Sequence, residues 1–143
     1  MAYGDSGVVA QIYAKPQPRI TPLNQPFWDY AERSVYALQT CDDCGDAHMP
    51  ESPVCPRCLS ARQTWRPARG SGTLESWADF YRAYWDGFVG ELPYRTCLVR
   101  LSEGPLIVSN LVGDQANIRV GAPLHVVFER TGEGVNLPKF ALD

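Results

Sequence analysis

Three things are scarce in this 143-residue chain: basic residues, histidine and long apolar segments. Thirteen Lys and Arg stand against sixteen Asp and Glu, and a negative net charge argues against a protein whose main partner is a nucleic-acid backbone. No segment approaches the roughly 20 apolar residues that cross a bilayer, and no secretory signal is visible. We therefore expect a soluble, cytoplasmic protein with no membrane partner, and nucleic acid is disfavoured as a ligand.

Familiar catalytic motifs are also missing. The sequence contains no paired-carboxylate motif, phosphate-cradling loop or nucleophile elbow. Only His48 and His125 could serve as a base for a cysteine nucleophile. Cys97 shares its side of a predicted strand with Val99 and Leu101, which indicates a core position rather than a reactive one. We expect no catalytic residue and no independent enzyme activity.

Four of the five cysteines fall into two Cys-x-x-Cys pairs, Cys41 with Cys44 and Cys55 with Cys58. Two intervening residues allow both thiolates of a tight turn, or knuckle, to bind one tetrahedral metal ion. Two opposed knuckles predict a zinc ribbon or rubredoxin-like site. The alternative is a pair of disulfides in a secreted protein, which the missing signal and the fifth cysteine, Cys97, disfavour.

Zinc is favoured over iron at this site, although four thiolates suit both metals. A closed set of four thiolates leaves no position for water or substrate, so the predicted role of the metal is structural. His48 lies in the ribbon loop and could replace a cysteine, but with four thiolates present it is expected to be an ordinary loop residue.

The chain divides by pattern into four segments. Residues 1–21 are expected to form an irregular arm and residues 22–40 a short helix with a lead-in strand over 36–40. The zinc ribbon is expected over residues 41–66, and residues 67–143 show all-β patterning.

A short amphipathic helix is predicted over about residues 25 to 35. Phe27, Ala31 and Val35 recur at four-residue spacing, with Trp28 beside Phe27. Two interpretations of Phe27 and Trp28 stay open. The aromatic side chains pack on the ribbon or barrel, or they dock a partner protein, because a helix this short has little stability alone.

Five short apolar or alternating segments follow the ribbon and predict five strands. In the first of them Leu74, Ser76, Ala78 and Phe80 alternate with more polar residues. This pattern predicts a small barrel of the OB type, and an SH3-like barrel or a small sandwich has the same signature. The predicted strands cover residues 73–80, 94–101, 106–112, 124–128 and 137–140.

An ordered set of motifs carries a family resemblance over roughly residues 22–142. After the Phe-Trp helix and the four cysteines come Gly-Ser-Gly-Thr at 70–73, Leu-Pro-Tyr at 92–94, Leu-Val-Gly at 111–113, Gly-Ala-Pro at 121–123 and Leu-Pro-Lys-Phe at 137–140. In this order they resemble the rubredoxin-like zinc ribbon plus OB-fold family that is associated with acyl-CoA and thiolases.

The resemblance implies a non-catalytic accessory subunit of a thiolase-fold enzyme: a thiolase, an aldolase or an acyltransferase that forms or cleaves carbon–carbon bonds of acyl-CoA thioesters. It implies that the ribbon and helix dock the partner and that the barrel lies beside the CoA-thioester channel. Many relatives carry a histidine where this chain has Tyr81, so a function of that histidine is not expected here. Two alternatives are a single-stranded nucleic-acid module and a purely architectural adaptor.

Five of the sixteen aromatic residues lie in the short segment 80–88, between the first two predicted barrel strands. OB folds often bind ligands with this loop. The aromatic rings could stack on an adenine, line an acyl channel or anchor a protein interface, whereas Phe80 shares its alternation with the core. The candidate ligand or partner residues are Tyr81, Tyr84, Trp85 and Phe88.

Arginines but no acidic residues occur between residues 52 and 74. The simplest interpretation is that they offset the negative charge of the metal–thiolate site. A sharper hypothesis places Arg66 and Arg69 against the phosphates of CoA or a partner carboxylate.

Overall fold

The computed structural model describes residues 15–132 and 134–143, so most of the predicted irregular arm, residues 1–14, lies outside the described residues. Within the described part, no helix is long and apolar enough to span a bilayer. The described residues form one α-helix, eight strands and one 3-10 helix at Asp86–Glu91. These elements are α1 (Gln25–Glu32), β1 (Ala37–Cys41), β2 (Ala47–His48), β3 (Gln63–Pro67), β4 (Ser71–Phe80), β5 (Tyr94–Leu101), β6 (Leu106–Val112), β7 (Pro123–Arg130) and β8 (Asn136–Leu142).

Helix α1 ends three residues earlier than the spacing predicts. It begins after Asn24 and carries a proline in its first turn, as expected. At its C-terminus Ser34 adopts a left-handed conformation with φ of 57°, and the Val35 N–H donates back to the Tyr30 carbonyl at 3.0 Å. The prediction that Val35 continues the helix is therefore wrong, because the chain reverses at Ser34.

Strands β1, β2 and β3 form a small antiparallel sheet in the order β2-β1-β3. The pairing of β1 with β3 runs from Ala37↔Pro67 to Cys41↔Gln63, so the strand that enters the first knuckle lies beside the strand that leaves the second. The lead-in strand lies one residue later than predicted, at Ala37–Cys41. Its buried Gln39 accepts a hydrogen bond from the Ser52 N–H at 2.8 Å, which fixes the loop between the knuckles.

Strands β4 to β8 close into a barrel in the order β4-β5-β6-β8-β7. All neighbours are antiparallel except β6 and β8, which pair in parallel at Leu111↔Phe140 and Val112↔Ala141. This strand order confirms the OB-type barrel and excludes the sandwich alternative. The interior is apolar and contains the fully buried side chains of Leu74, Val99, Leu101, Leu124 and Phe140.

A β-bulge in β4 changes which side chains point inward. The register shifts between Leu74, which pairs with Val99, and Ser76, which pairs with Leu98. A bulge places two residues opposite one, so the alternation predicted for Leu74, Ser76 and Phe80 breaks after Leu74. Ser76 is exposed and Phe80 is half-buried against Tyr94, with the two rings stacked at 5.1 Å. The core position predicted for Phe80 is therefore wrong.

Helix α1 is fastened to the barrel by polar contacts at its C-terminal end. The Asn136 Nδ2 atom, on buried Asn136, donates to the Ala31 carbonyl at 2.8 Å. Arg130 makes a bidentate pair with Glu32 at 2.9 and 2.8 Å. Since Asn136 and Arg130 lie on β8 and β7, both contacts hold the helix against the same hairpin of the barrel.

The ribbon joins the barrel at Gly70. This glycine has φ of 72°, and a Cβ atom there would lie 2.6 Å from Cγ1 of Val126. Its carbonyl accepts a hydrogen bond from the Val126 N–H at 2.7 Å. Glycine is therefore required both by the left-handed backbone and by the close approach of β7.

Candidate metal centre and ligand surfaces

The four cysteines of the two pairs meet at one point between the knuckles. Their Sγ atoms all lie within 4.8 Å of one another, with 3.5 Å between Cys41 and Cys58 and 3.6 Å between Cys44 and Cys55. Metal–sulfur bonds of about 2.3 Å in tetrahedral geometry place sulfur atoms about 3.8 Å apart. The cluster thus has the spacing of a four-thiolate metal site, and the described cysteines are free rather than disulfide-bonded.

Backbone N–H groups point at the sulfur atoms of the cluster. The Cys44 N–H donates to Sγ of Cys41 at 3.5 Å, and the Arg57 N–H donates to Sγ of Cys55 at 3.4 Å. The N–H of Cys44 lowers the pKa of the Cys41 thiol to about 7. The pKa of the Cys58 thiol is raised instead, because the lowering by the Ser60 N–H is outweighed by the hydrogen bond with Cys41 together with desolvation and the other thiols. The backbone donors therefore favour the thiolate form at Cys41 in particular.

The two knuckles repeat one hydrogen-bond pattern. The Gly45 N–H donates to the Cys41 carbonyl at 2.9 Å, and the Leu59 N–H donates to the Cys55 carbonyl at 2.8 Å. The residue that closes each turn has a positive φ, 77° at Gly45 and 65° at Leu59. A left-handed backbone costs a residue with a side chain about 1–2 kcal/mol, so the second knuckle is strained where the first is relaxed.

His48 is not part of the sulfur cluster. It lies at the end of β2, only 7% exposed, and its ring nitrogens contact the Pro50 carbonyl at 3.0 Å and the side chain of Gln63. The expectation that His48 is not a ligand agrees with this geometry, but its description as an ordinary loop residue is wrong. Its imidazole joins β2 to β3 beneath the knuckles.

The candidate arginines lie far from the candidate aromatic residues. Arg66 lies 3.7 Å from Asp42, and Arg69, just before β4, uses its backbone N–H to contact Glu103. The aromatic loop, defined here as residues 81–93, follows the C-terminal end of β4, whereas both arginines precede its N-terminal end. A ten-residue strand extends about 30 Å, so the structure separates the two groups instead of assembling one site from them.

The aromatic loop presents most of its rings to solvent. Tyr81 is 75% exposed, Tyr84 is 66% exposed and Trp85 is 41% exposed. Phe88 lies in the 3-10 helix, half-buried, with its ring 5.4 Å from that of Tyr94. The loop therefore combines one ring that packs against Tyr94 with three rings that are more exposed to solvent.

A cavity of about 450 Å³ opens beside the aromatic loop. Phe88 lines it, whereas the other three candidate rings do not. Its charged groups are paired, Arg95 with Asp79 at 2.5 and 2.9 Å and Lys139 with Glu129 at 3.0 Å. The Arg95 guanidinium holds the pKa of the Asp79 carboxyl below its usual range.

Sequence reasoning missed the polar residues of this cavity. Arg95 interrupts the apolar alternation of Cys97, Val99 and Leu101, and this interruption is the signal that could have found it, whereas Asp79 falls on the polar side of the predicted first barrel strand. Their pairing depends on the register of β4 against β5, Asp79↔Arg95, which the bulge sets.

The two candidate docking residues of helix α1 have different environments. Phe27 is 5% exposed and packs against Tyr36 at 5.4 Å and Trp65 at 6.1 Å. Its ring is part of the core that joins helix, ribbon and barrel, so it has no surface to offer another protein. Trp28 is only partly buried and borders a small cavity beside the β7–β8 turn, so docking stays a prediction for Trp28.

The described residues contain no cysteine–histidine pair suited to nucleophilic catalysis. Cys97 is 3% exposed, and its burial raises the pKa of its thiol to about 11. His48 is held by Pro50 and Gln63, and His125 contacts Asp143 at 2.8 Å on the surface. The core position expected for Cys97 is confirmed.

The fold and the sulfur cluster together define a protein with a zinc ribbon followed by an OB barrel. Two family models match it in that order: the rubredoxin-like zinc ribbon domain of ChsH2 over residues 37–63 and the C-terminal OB-fold domain of ChsH2 over residues 65–129. Together they match well over half of the chain. The chain belongs to the ChsH2 family, also called DUF35, and the resemblance noted in the sequence is confirmed.

Three similar proteins extend this assignment. A probable enoyl-CoA hydratase alpha subunit of Thermomonospora curvata is 30% identical over 127 residues, 88% of this chain and 39% of the relative, so the chain spans about two-fifths of that protein. A DUF35 domain-containing scaffold protein of Methanothermobacter thermautotrophicus is 27% identical over 95 residues, 65% of this chain and 71% of the relative.

The third is a solved structure, an Ltp2-ChsH2(DUF35) aldolase. One of its chains is similar at a TM-score of 0.78 and 29% identity, over 88% of this chain and 98% of that chain. The similarity therefore extends across both the ribbon and the barrel.

Proposed function

We propose that this chain is a non-catalytic accessory subunit of a thiolase-fold enzyme that acts on acyl-CoA thioesters. The observation that carries the proposal is the similarity over 98% of a chain in the Ltp2-ChsH2(DUF35) aldolase. The paired charges of the barrel cavity and the buried thiol of Cys97 support it, since the described residues offer no nucleophile with a base. The partner would supply proton transfer and covalent catalysis.

The aromatic loop is the surface on which this role would depend. Exposed aromatic rings at this density are typical of surfaces that another molecule covers. We propose that Tyr81, Tyr84 and Trp85 close the acyl-CoA channel of the partner, with Phe88 fixing the loop to the barrel. Covering the channel would exclude water and order the thioester, which accelerates chemistry without a reactive group from this chain.

The sulfur cluster would hold zinc in a structural role. The donor set of Cys41, Cys44, Cys55 and Cys58 and its near-tetrahedral spacing fit Zn²⁺, and iron is the less favoured metal. With all four positions taken by sulfur, the metal would cross-link the knuckles and bind no substrate. Free thiolates of this kind require a reducing compartment, which supports a cytoplasmic location as a proposal.

The arginines of the ribbon support charge offset better than phosphate binding. Arg66 pairs with Asp42 beside the first knuckle, about a strand's length from the aromatic loop. We propose that Arg66 and Arg69 balance charge around the metal centre and do not join the aromatic loop in one CoA site.

Co-expression with the Ltp2-type subunit of such an aldolase tests the proposal. We expect co-purification, and a fall in acyl-CoA turnover when this chain is omitted. The double variant Tyr84→Ala, Trp85→Ala should lower kcat/KM about tenfold while the complex still forms. Val120→Thr, which alters an exposed aliphatic residue outside the loop, is the matched control and should leave turnover unchanged.

Two results would contradict the proposal. Full activity without this chain would remove the accessory role, and tight oligonucleotide binding with a steep salt slope would favour a nucleic-acid module. Normal turnover with the double variant in an intact complex would indicate a purely architectural adaptor.

A further inference from the structure

The closing residue of the second knuckle is an exposed leucine in a conformation that suits glycine. Leu59 has φ of 65° and is 73% exposed, and it makes the same N–H contact to Cys55 that Gly45 makes to Cys41. Gly45 shows that this turn closes well without a side chain. Glycine would therefore close the second knuckle with less backbone strain, and the leucine side chain adds nothing to the turn.

Leu59 also lacks a role in the core. It lies outside the cluster of buried residues that joins helix, ribbon and barrel. Among the described non-glycine residues, Ser34 is the other one with positive φ, and it is a small residue that ends helix α1. A bulky residue held in a strained and solvent-exposed position is a sign of function rather than of stability.

The surroundings of Leu59 indicate what would cover it. Val54, just before the same knuckle, is 36% exposed, and the hydrogen bond from the Cys55 N–H to the Ser60 carbonyl at 2.8 Å brings the two ends of the knuckle together. Arg57 is exposed and pairs with no acidic group in the part of the chain that the structure describes. An apolar side chain next to an unpaired positive charge complements an apolar pocket that has a carboxylate at its edge.

We propose that Leu59 is a docking anchor, which inserts into an apolar pocket bordered by a carboxylate on the thiolase-fold subunit. The proposal rests on the accessory function proposed above, because it names one residue of that interface. The backbone of the anchor is held by the turn of the knuckle, in which the Leu59 N–H donates to the Cys55 carbonyl, so the anchor would lose little conformational freedom when it binds. Arg57 adds attraction at the border of the pocket.

Leu59→Gly separates docking from folding, because it gives the second knuckle the closing residue of the first. We expect zinc content to be unchanged and the unfolding midpoint to be unchanged or raised. Affinity for the Ltp2-type thiolase-fold subunit, measured by calorimetry, should fall about tenfold or more. Arg57→Gln should weaken binding less and reduce its salt dependence.

Val108→Thr is the matched control, because Val108 is 75% exposed on the barrel. It should leave affinity within about twofold of the unsubstituted chain. Unchanged binding by Leu59→Gly would contradict the docking anchor, and so would an equal loss of affinity in Leu59→Gly and Val108→Thr. Either result would leave the proposed accessory role intact. If the unsubstituted chain forms no complex, the proposed function and the anchor fail together.

Discussion

The ribbon and the barrel are stabilised in different ways. In the barrel, apolar side chains such as Phe140, Leu74 and Val99 are fully buried between five strands. In the ribbon the fully buried side chains are Ala37, Leu38 and two of the cysteines, Cys41 and Cys55, and Leu38 belongs to the same core cluster as the barrel residues. A segment this short buries little apolar surface of its own, so we expect the ribbon to need a metal cross-link that the barrel does not need.

Removal of the metal is expected to have the largest effect on the difference in stability between the ribbon and the barrel. Cys58→Ser, or a chelator, should abolish metal binding and with it amide protection in β1–β3, while the barrel amides stay protected. Metal binding contributes about 10–16 kcal/mol in zinc-finger peptides, far more than the small ribbon sheet could replace. Hydrogen exchange resolved by residue measures both regions in one experiment.

Cys97→Ala is the control for this prediction, since Cys97 lies in the barrel and outside the cluster. It should keep the metal content of the unsubstituted chain. Loss of protection in ribbon and barrel together would show that the two regions form one cooperative unit.

A smaller effect is expected at the contact between helix and barrel. Asn136→Ala removes the Nδ2 donor to the Ala31 carbonyl, which keeps the Ser34 N–H at 2.9 Å as its other donor. The loss of this one hydrogen bond should lower the free energy of unfolding by about 0.5–1.5 kcal/mol and should raise exchange in α1 before β4–β8. Denaturant unfolding with two probes tests it, and Asn117→Ala, at an exposed asparagine, should have no effect.

The smallest effect is expected for the exposed pair of Glu32 and Arg130. The hydrogen bond from Arg130 lowers the pKa of the Glu32 carboxyl from its ordinary value of 4.5. The stabilisation is therefore fully present above pH 4.5 and is lost as the pH falls through the lower folded-state pKa. Glu32→Gln should lower the unfolding midpoint slightly at neutral pH, and the difference should disappear in acid.

Salt provides the check on this last prediction, because both side chains are about half exposed. High salt should reduce the difference between Glu32→Gln and the unsubstituted chain at neutral pH. A difference that persists in strong acid would contradict an electrostatic origin.

The sequence correctly predicted the features that depend only on residues close together in the chain. The Cys-x-x-Cys spacing located the metal cluster, and alternation from Tyr94 to Leu101 located the longest regular stretch of core. Cysteine geometry and strand period are properties of a few consecutive residues, so they can be read without the fold.

Features that depend on distant residues could not be predicted in this way. The bulge after Leu74 exists because β4 pairs with β5 and β7, and it reversed the expected positions of Ser76 and Phe80. The cavity charges, Arg95 with Asp79 and Lys139 with Glu129, are likewise paired between strands.

The tight junction at Gly70 bears on how the molecule would act as an adaptor. With β7 packed against the junction, the angle between the two halves is set before any partner arrives. Because this junction would hold the second knuckle and the aromatic loop at a fixed angle, the two could bind two places on one enzyme. Once the first contact had formed, the second would form at a high effective concentration. Inserting one residue at the junction would change the orientation of the ribbon relative to the barrel while leaving both regions folded.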